Sequence, residues 1–353
     1  MKKKLNKLRT EIDNVDKKLL GLLSKRAGLA KDVGQTKDDG VIYRPEREAQ
    51  ILSALTTLNE GPLSKEGVVD IFKSIISNCR ALEKKICVSF LGPLGTFSEE
   101  ATIGQFGRNI DLSPTDSIDE VFNSVQSDVS HYGVVPVENS TEGAISRTLD
   151  LLMTKDLKIC GEIILPVHHC LLSKNKSTDK IKTLYAHGQS LAQCHDWIMI
   201  NLPSVNKVPV MSNAEGARLS SKDKGSASIA SNKAADLYNL NILFKNIEDE
   251  INNTTRFLVL SKHDVKPSGK DKTSIVIATK NKPGAIAELV SPFAKNKVSM
   301  TKLESRPSKL GLWEYVFFID IEGHYQDKAV KLSLNQIELK ASFIKILGSY
   351  PVK

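Results

Sequence analysis

Apolar residues at the start of the chain recur at three- and four-residue steps: Leu5, Leu8, Ile12, Val15, Leu19, Leu22 and Leu23. That is the period of one apolar stripe on a helix. With no glycine before Gly21 and no proline before Pro45, a single helix is expected from about Lys3 to Lys37, ~50 Å long at a rise of ~1.5 Å per residue. Pro45 suits the first turn of a second helix over 46–59, "EGPLSKEG" interrupts it, and a third helix is expected over 64–85. These successors are too short to cover the stripe of the first helix. The pattern therefore favours an intertwined homodimer or a higher homo-oligomer.

From Ile86 the texture changes. "KICVSFLG" reads as a strand, and in the following "PLGTFSEEA" Thr96 and Glu99 have capping-box spacing, which recurs at Ser117/Glu120, Ser190/Gln193 and Ser212/Glu215. Repeated strand–loop–capped-helix units predict an α/β domain with a mainly parallel sheet, whose loops and helix N-termini form the ligand side. "KHDVKPSGKDK" (262–272) is a linker of Lys, Pro and Gly. Beyond it come strand "TSIVIA", helix 284–296, strand 299–306, strand "WEYVFFIDI", helix 327–338 and strand "SFIKILGS", the βαββαβ order of a ferredoxin-like unit. The expected domains are all-α (1–85), α/β (86–262) and α+β (273–350).

At 353 residues the chain exceeds one ordinary core, and 41% apolar with 25% charged residues is the composition of a soluble globular protein. A net charge of +8 suits anionic partners. Lys and Arg are nevertheless spread out, with few aromatics to stack bases, which argues against nucleic acid and leaves small anionic substrates. Cys79, Cys87, Cys160, Cys170 and Cys194 form no C-x-x-C and no metal spacing, so reduced thiols in a cytoplasm are expected, with no metal. "MKKKLNKLRTEID" imitates the start of a secretion signal, but charges continue where an apolar core should follow. No run approaches the ~20 apolar residues of a membrane span.

Several charges interrupt or flank the apolar helix faces: Arg9, Arg26, Lys37, Arg44, Arg47 and Glu48. Arg26 and Lys37 fall on nearly the same face, ~16 Å apart, whereas Arg9 lies ~25 Å from Arg26 and needs an antiparallel partner helix to share a small ligand with it. Arg forks and a Lys point charge suit a compact dicarboxylate; solvated surface charge is the plain alternative. "LRTEIDNVDKKLLGLLSKRAGLAKDVGQTK", "YRPERE" and "IFKSIISNCRALE" resemble the all-helical chorismate mutase family over 5–85. The resemblance implies that Arg9 from the partner chain, Arg26, Lys37, Arg47 and Glu48 hold chorismate. It also implies that Lys37 and Glu83 hydrogen-bond its ether oxygen. Arg44, Cys79 and Glu83 stand where some members have Asp, Ser and Gln. The rearrangement to prephenate needs no nucleophile, metal or cofactor, only a held reactive conformer and donors where charge grows. Glu83 donates only when protonated.

"FLGPLGTFSEEA" invites a dinucleotide reading that fails on spacing: its glycines fall at 92 and 95, Pro93 removes a donor and Phe97 takes the third glycine's place. In "YGVVPVENSTEGAI" Asn139, Ser140 and Thr141, and in "YAHGQSLAQCHDW" His187, Gln189 and Ser190, stand before helices. Each loop is either a carboxylate site or a simple helix cap. "NNTTRFLVL" runs a polar cluster into an apolar strand. GPLGTFSEEA, VPVENSTEG, YAHGQSLAQC, SNAEGA and NNTTRFLVL, in this order, resemble prephenate dehydratase over 86–262. The resemblance implies two α/β lobes like a periplasmic binding protein, with the site in their cleft, and loss of CO2 and the ring hydroxyl from prephenate to give phenylpyruvate. Hydroxide leaves poorly, so a donor near C4 and anchors for two carboxylates are needed. In the family the Thr of Thr-Arg-Phe is essential, which implies Thr255. Arg256 either orients the loop or binds a carboxylate. Asn139, Ser140, Thr141, His187, Gln189, Ser212 and Phe257 complete the substrate-binding candidates, and Glu138 is an acid or a structural residue.

"KPGAIAEL" and "KLESRP" resemble the two ligand motifs of an ACT domain. This implies phenylalanine bound at a dimer interface by Gly284, Ala285, Glu304, Ser305, Arg306 and Pro307, with Ser299 where members often have Asn. The whole chain is similar to the bifunctional chorismate mutase/prephenate dehydratase family of phenylalanine synthesis, with feedback by phenylalanine. Three rivals are weighed. A dehydratase preferring arogenate needs a counter-charge for the amine. A non-catalytic amino-acid sensor is opposed by the mutase pattern and by Thr255-Arg256-Phe257. A mutase–prephenate dehydrogenase fusion requires the nucleotide fingerprint that fails above.

Overall fold

A computed structural model of the chain describes residues 2–36, 40–279, 282–307 and 315–352. They divide into two units, residues 1–86 with 106–111, and 87–105 with 112–353.

The first unit carries α1 (Lys2–Gln35), α2 (Pro45–Leu58) and α3 (Lys65–Glu83), close to the expected bounds. Pro45 starts α2 at a position where its fixed φ fits and no backbone donor is missed. Ser64 caps α3 by accepting from Gly67 N at 3.0 Å. α3 packs against both other helices. Within one chain α1 nonetheless buries none of its residues, and Leu5, Leu8, Ile12, Val15, Leu19 and Leu22 are all exposed.

The second unit begins with β1 (Cys87–Leu91), α4 (Phe97–Phe106), β2 (Asp111–Thr115), α5 (Ile118–Gln126), β3 (Tyr132–Asn139), β4 (Gly143–Ala144), α6 (Ser146–Thr154) and β5 (Lys158–Pro166). A second lobe follows: β6 (Cys170–Ser173), β7 (Thr183–His187), α7 (Gly188–Gln193), α8 (His195–Asn201), β8 (Asn206–Val210), α9 (Asn213–Ser220), β9 (Ser226–Ala230), α10 (Asn232–Tyr238) and β10 (Asn241–Phe244). The chain then returns to the first lobe as β11 (Thr254–Ser261). The first sheet has the order β2-β1-β3-β11-β5 with β4 on β3, and the second β10-β6-β9-β7-β8.

These sheets are mixed, which corrects the mainly parallel expectation. β1 and β3 pair in parallel, as do β7 with β8 and β7 with β9. β11 is antiparallel to both β3 and β5, and β6 is antiparallel to β9 and β10. The reason is topological. β3 ends at the cleft with Asn139, while β11 starts there with Thr254, so the two must run in opposite senses.

The capping boxes are also corrected in part. Ser117 and Ser212 accept from Glu120 N and Glu215 N at 3.2 and 3.1 Å. Ser190 lies inside α7, which His187 caps instead by accepting from Gln189 N. Thr96 does not act as an acceptor cap: its hydroxyl donates to the carbonyls of Leu91 and Pro93.

The last part forms β12 (Asp271–Thr279), α11 (Ala285–Lys295), β13 (Met300–Pro307), β14 (Tyr315–Glu322), α12 (Lys328–Glu338) and β15 (Phe343–Pro351). Its antiparallel sheet has the order β13-β14-β12-β15, the expected βαββαβ unit. Alternation along β12 splits the sheet's faces. Ile275 and Ile277 pack with Leu289 and Phe293 of α11, whereas Val276 and Ala278 join Leu152, Leu157 and Ile159 of the first lobe. Gly348 permits that second contact, since a Cβ there would fall on the backbone of Ile159. Among the described residues no helix is long and apolar enough to cross a membrane.

Candidate active and effector sites

A cleft of about 510 Å³ opens where the ends of β1, β3, β7 and the start of β11 meet the N-terminal turns of α4, α7 and α9. Thr255 and Asn139 stand on its floor, directly opposite each other in the β11–β3 register. Asn139 is buried, and its amide Nδ2 donates to Thr255 Oγ1 at 2.9 Å and to Asn253 Oδ1 at 3.0 Å. Its Oδ1 accepts from the Thr141 hydroxyl at 2.6 Å and the Thr141 amide at 3.1 Å. The amide's orientation is therefore fixed from both ends. Because Thr255 Oγ1 accepts from Asn139, its own proton is left for another acceptor, and among the described residues it has none.

The network extends behind the floor. Gln193 Nε2 donates to Thr141 Oγ1 at 2.9 Å, and Gln193 Oε1 accepts from Asn253 Nδ2 at 3.1 Å and lies 2.9 Å from His169 Nε2. His169 is buried in the cleft wall, edge-on to Phe97. Burial pushes its imidazole below the ordinary histidine pKa. The Gln193 oxygen can only accept, so Nε2 carries a proton and donates to it, and the buried Nδ1 has no partner.

Of the candidates singled out by sequence, the cleft brings together Asn139, His187, Gln189, Ser190, Ser212 and Thr255. Ser140 and Thr141 are placed differently. Ser140 Oγ donates to Asn252 O and accepts from Thr254 N, and Thr141 braces Asn139, so both shape the floor from outside. Phe257 is buried core, and Arg256 turns away from the cleft. The Arg256 guanidinium pairs with Glu162 at 2.9 Å and Asp320 at 2.7 Å and donates to the Tyr350 hydroxyl at 3.0 Å. In this geometry the Arg256 guanidinium ties β11 to β5, β14 and β15, as the loop-orienting alternative requires. Glu138 likewise faces away from the floor and pairs with Lys302 at 2.5 Å. Sequence reasoning passed over Asp116, His169 and Asn213 and read Gln193 only as part of a helix cap; all four line the cleft. The cleft lining holds no Lys or Arg among the described residues, and the N-terminal turns of α4, α7 and α9 open onto it.

In the helical unit Arg26 is half-buried, and Arg9 and Arg47 are exposed. Lys37 lies outside the described residues. Glu48 is ion-paired with Arg80, which is buried and stacks over the Tyr43 ring at 5.1 Å. That pair ties α2 to α3. Glu83 packs beside Gly34 of α1, where an added Cβ would come within 2.9 Å of its Cγ. The contact sets Glu83 alongside the C-terminal turn of α1.

A smaller pocket of about 350 Å³ lies at the start of α11, lined by Gly284, Ala285, Ile286, Ser305, Tyr315 and Phe317 among others. Gly284 has φ +78°, a left-handed conformation that glycine adopts without strain. Glu304 and Arg306 alternate with Ser305 and face the other way along β13; Arg306 donates to Ser146 O at 2.8 Å. Pro307 is the exposed end of the strand.

Three family models match the chain in order: chorismate mutase type II over residues 8–84, prephenate dehydratase over 88–265 and the ACT domain over 273–339. The bifunctional chorismate mutase/prephenate dehydratase of Neisseria gonorrhoeae is 46% identical, over 97% of this chain and 96% of its own length. That of Pseudomonas aeruginosa is 47% identical over 98% and 97%. Among solved structures, the prephenate dehydratase of Arthrobacter aurescens in complex with L-Phe superposes with a TM-score of 0.71 at 31% identity, covering 76% of this chain and 90% of that one.

Proposed function

The chain belongs to the bifunctional chorismate mutase/prephenate dehydratase family, and from that footing we propose how its residues divide the work. It rearranges chorismate to prephenate and converts prephenate to phenylpyruvate, two successive steps of phenylalanine biosynthesis under allosteric control by an ACT domain. The working segments are 1–85 for the mutase, 86–262 for the dehydratase and 273–350 for regulation.

In the dehydratase step the bond to the ring carboxylate breaks and CO2 leaves. Its electron pair moves through the ring and expels the C4 oxygen, which departs as water once protonated. Thr255 supplies the donor to that oxygen. The observation that carries this role is the 2.9 Å hydrogen bond from Asn139 Nδ2 to Thr255 Oγ1, which turns the threonine proton toward the cleft. His187, Gln189, Ser212 and the turns they occupy hold the two carboxylates, and Ser140 and Thr141 keep Asn139 in place.

In the mutase step Arg26, Lys37 and Arg47 hold chorismate with Arg9 of the partner, and Lys37 and Glu83 donate to the ether oxygen. The exposed stripe of α1 supports a dimer in which that partner arginine is delivered. Glu48 acts through Arg80, by fixing α2 on α3. Phenylalanine is the effector. Its carboxylate sits at the N-terminus of α11 beside Gly284 and Ala285, and its side chain lies against Phe317 and Ile286. Five free thiols fit a reducing cytoplasm.

The test is incubation of the purified chain with chorismate alone, following prephenate and phenylpyruvate. Thr255→Ala should accumulate prephenate, with dehydratase kcat down by about 10²–10⁴-fold and the mutase rate unchanged. Thr255→Ser should keep most of the activity. A Thr255→Ala chain that still forms phenylpyruvate at the wild-type rate refutes the assignment.

A further inference from the structure

The rung that carries Asn139 and Thr255 has a neighbour one residue along each strand: Glu138 opposite Arg256. Successive side chains on a strand point to opposite faces. The first pair therefore meets in the cleft, while the second turns to the regulatory sheet. Arg256 reaches Asp320 of β14 and Tyr350 of β15, and Ser274 of β12 bonds to both, at 2.5 Å to Asp320 Oδ1 and 2.8 Å to the Tyr350 hydroxyl. Glu162 of β5 joins the same cluster by pairing with both Arg256 and Lys272. Two cations thus face two anions, and the Arg256, Glu162 and Asp320 side chains are each at most 12% exposed. Such a cluster holds one arrangement firmly, because breaking any pair leaves a buried charge alone.

Glu138 takes a different route. It pairs with Lys302 of β13, three residues before Ser305, which lines the effector pocket. On β13 the face with Ser305 belongs to the effector and the face with Lys302 to the catalytic lobe. One edge strand therefore touches both.

We propose that Glu138 and Arg256 are positioning residues that couple the effector pocket to the Asn139–Thr255 pair, Glu138 through Lys302 and Arg256 through Asp320 and Tyr350. Filling the pocket displaces β13, and Lys302 passes the displacement to the strand position next to Asn139. Arg256 anchors the opposite strand, so the two sides of the catalytic rung shift relative to each other and the 2.9 Å bond is lost. The proposal rests on the reading of Thr255 and of the effector pocket given above. Coupling of this kind is reciprocal: prephenate must weaken effector binding by the factor with which the effector weakens prephenate binding.

The experiment uses the full chain with prephenate, with and without phenylalanine, and measures phenylalanine binding directly by equilibrium dialysis. Lys302→Met should keep basal kcat within about twofold and bind phenylalanine nearly as well as wild type, while inhibition drops by about tenfold. Arg256→Lys should lower kcat by about tenfold or more with KM for prephenate little changed, because a point charge cannot serve Glu162, Asp320 and Tyr350 together. Inhibition of Lys302→Met equal to wild type overturns the coupling route while leaving the effector reading intact. A rise in KM at unchanged kcat for Arg256→Lys makes Arg256 a substrate ligand and overturns its positioning role. A wild-type chain that turns over prephenate but neither binds nor responds to phenylalanine overturns the effector reading itself.

Discussion

The Asn139 amide on the cleft floor has its direction set by its neighbours on both sides. Asn139 can present only its amide to Thr255, since Thr141 occupies its carbonyl oxygen. The place of Thr255 in a cleft was legible in the sequence, because a five-part motif put it there. Asn253, Gln193 and His169 were not, since a loop asparagine, a helix-end glutamine and a strand-end histidine carry no periodicity. Only folding brings them together. His169 has a consequence for stability. Burial holds its folded-state pKa below the ~6.5 of an unfolded chain. Below about pH 6.5 the unfolded state therefore binds the extra proton, and stability falls with pH until the folded-state pKa is reached, at a limiting slope of about 1.4 kcal/mol per unit. Denaturant midpoints measured from about pH 7.5 to 5 should decline for the wild type, and His169→Gln should show a shallower decline. Parallel curves for the two proteins would show that His169 carries none of the effect.

At the scale of elements, the three helices and the βαββαβ order followed directly from period and punctuation. Strand direction did not. The return of β11 between β3 and β5 depends on where a long excursion through a second lobe ends, and no local pattern encodes it. The Ser190 cap failed for a similar reason: spacing alone admits several caps, and His187 starts the helix before Ser190 can. Close approach of elements was equally hidden. On α9 the space for a Cβ at Gly216 is taken by the carbonyl oxygen of Tyr185, 2.9 Å away on β7. That approach sets the helix whose first turn brings Ser212 and Asn213 to the cleft. Gly216→Ala should therefore cost about 1–3 kcal/mol, read as a lower denaturation midpoint. It should also raise KM for prephenate more than it lowers kcat. An unchanged KM would separate the packing of α9 from substrate binding.

For the whole molecule, the unburied stripe of α1 is apolar surface that a single chain leaves in water. Leu5, Leu8, Ile12, Val15, Leu19 and Leu22 are each about half exposed or more, and covering one such side chain contributes about 1.5–3 kcal/mol relative to leaving it in water. In the proposed dimer a second, antiparallel copy would cover the stripe and bring Arg9 to the partner's site. Thermal unfolding of the helical unit and mutase activity should then both depend on protein concentration, while Ile12→Glu should lower the melting temperature, give monomers by sedimentation and abolish the mutase. Wild-type melting that is independent of concentration over a hundredfold range would argue against the dimer.

The backbone passes between the lobes of the dehydratase twice, after β5 and before β11, and Pro166 and Thr254 face each other where the passages meet the first sheet. Any swing of one lobe against the other turns about those two passages. Thr255, one residue in, stands at the axle and hardly travels, whereas Met211, Ser212 and Asn213 ride on the rim of the far lobe. The Thr255–Asn139 pair thus stays with the first sheet in any such swing, and the loops of the far lobe do the travelling.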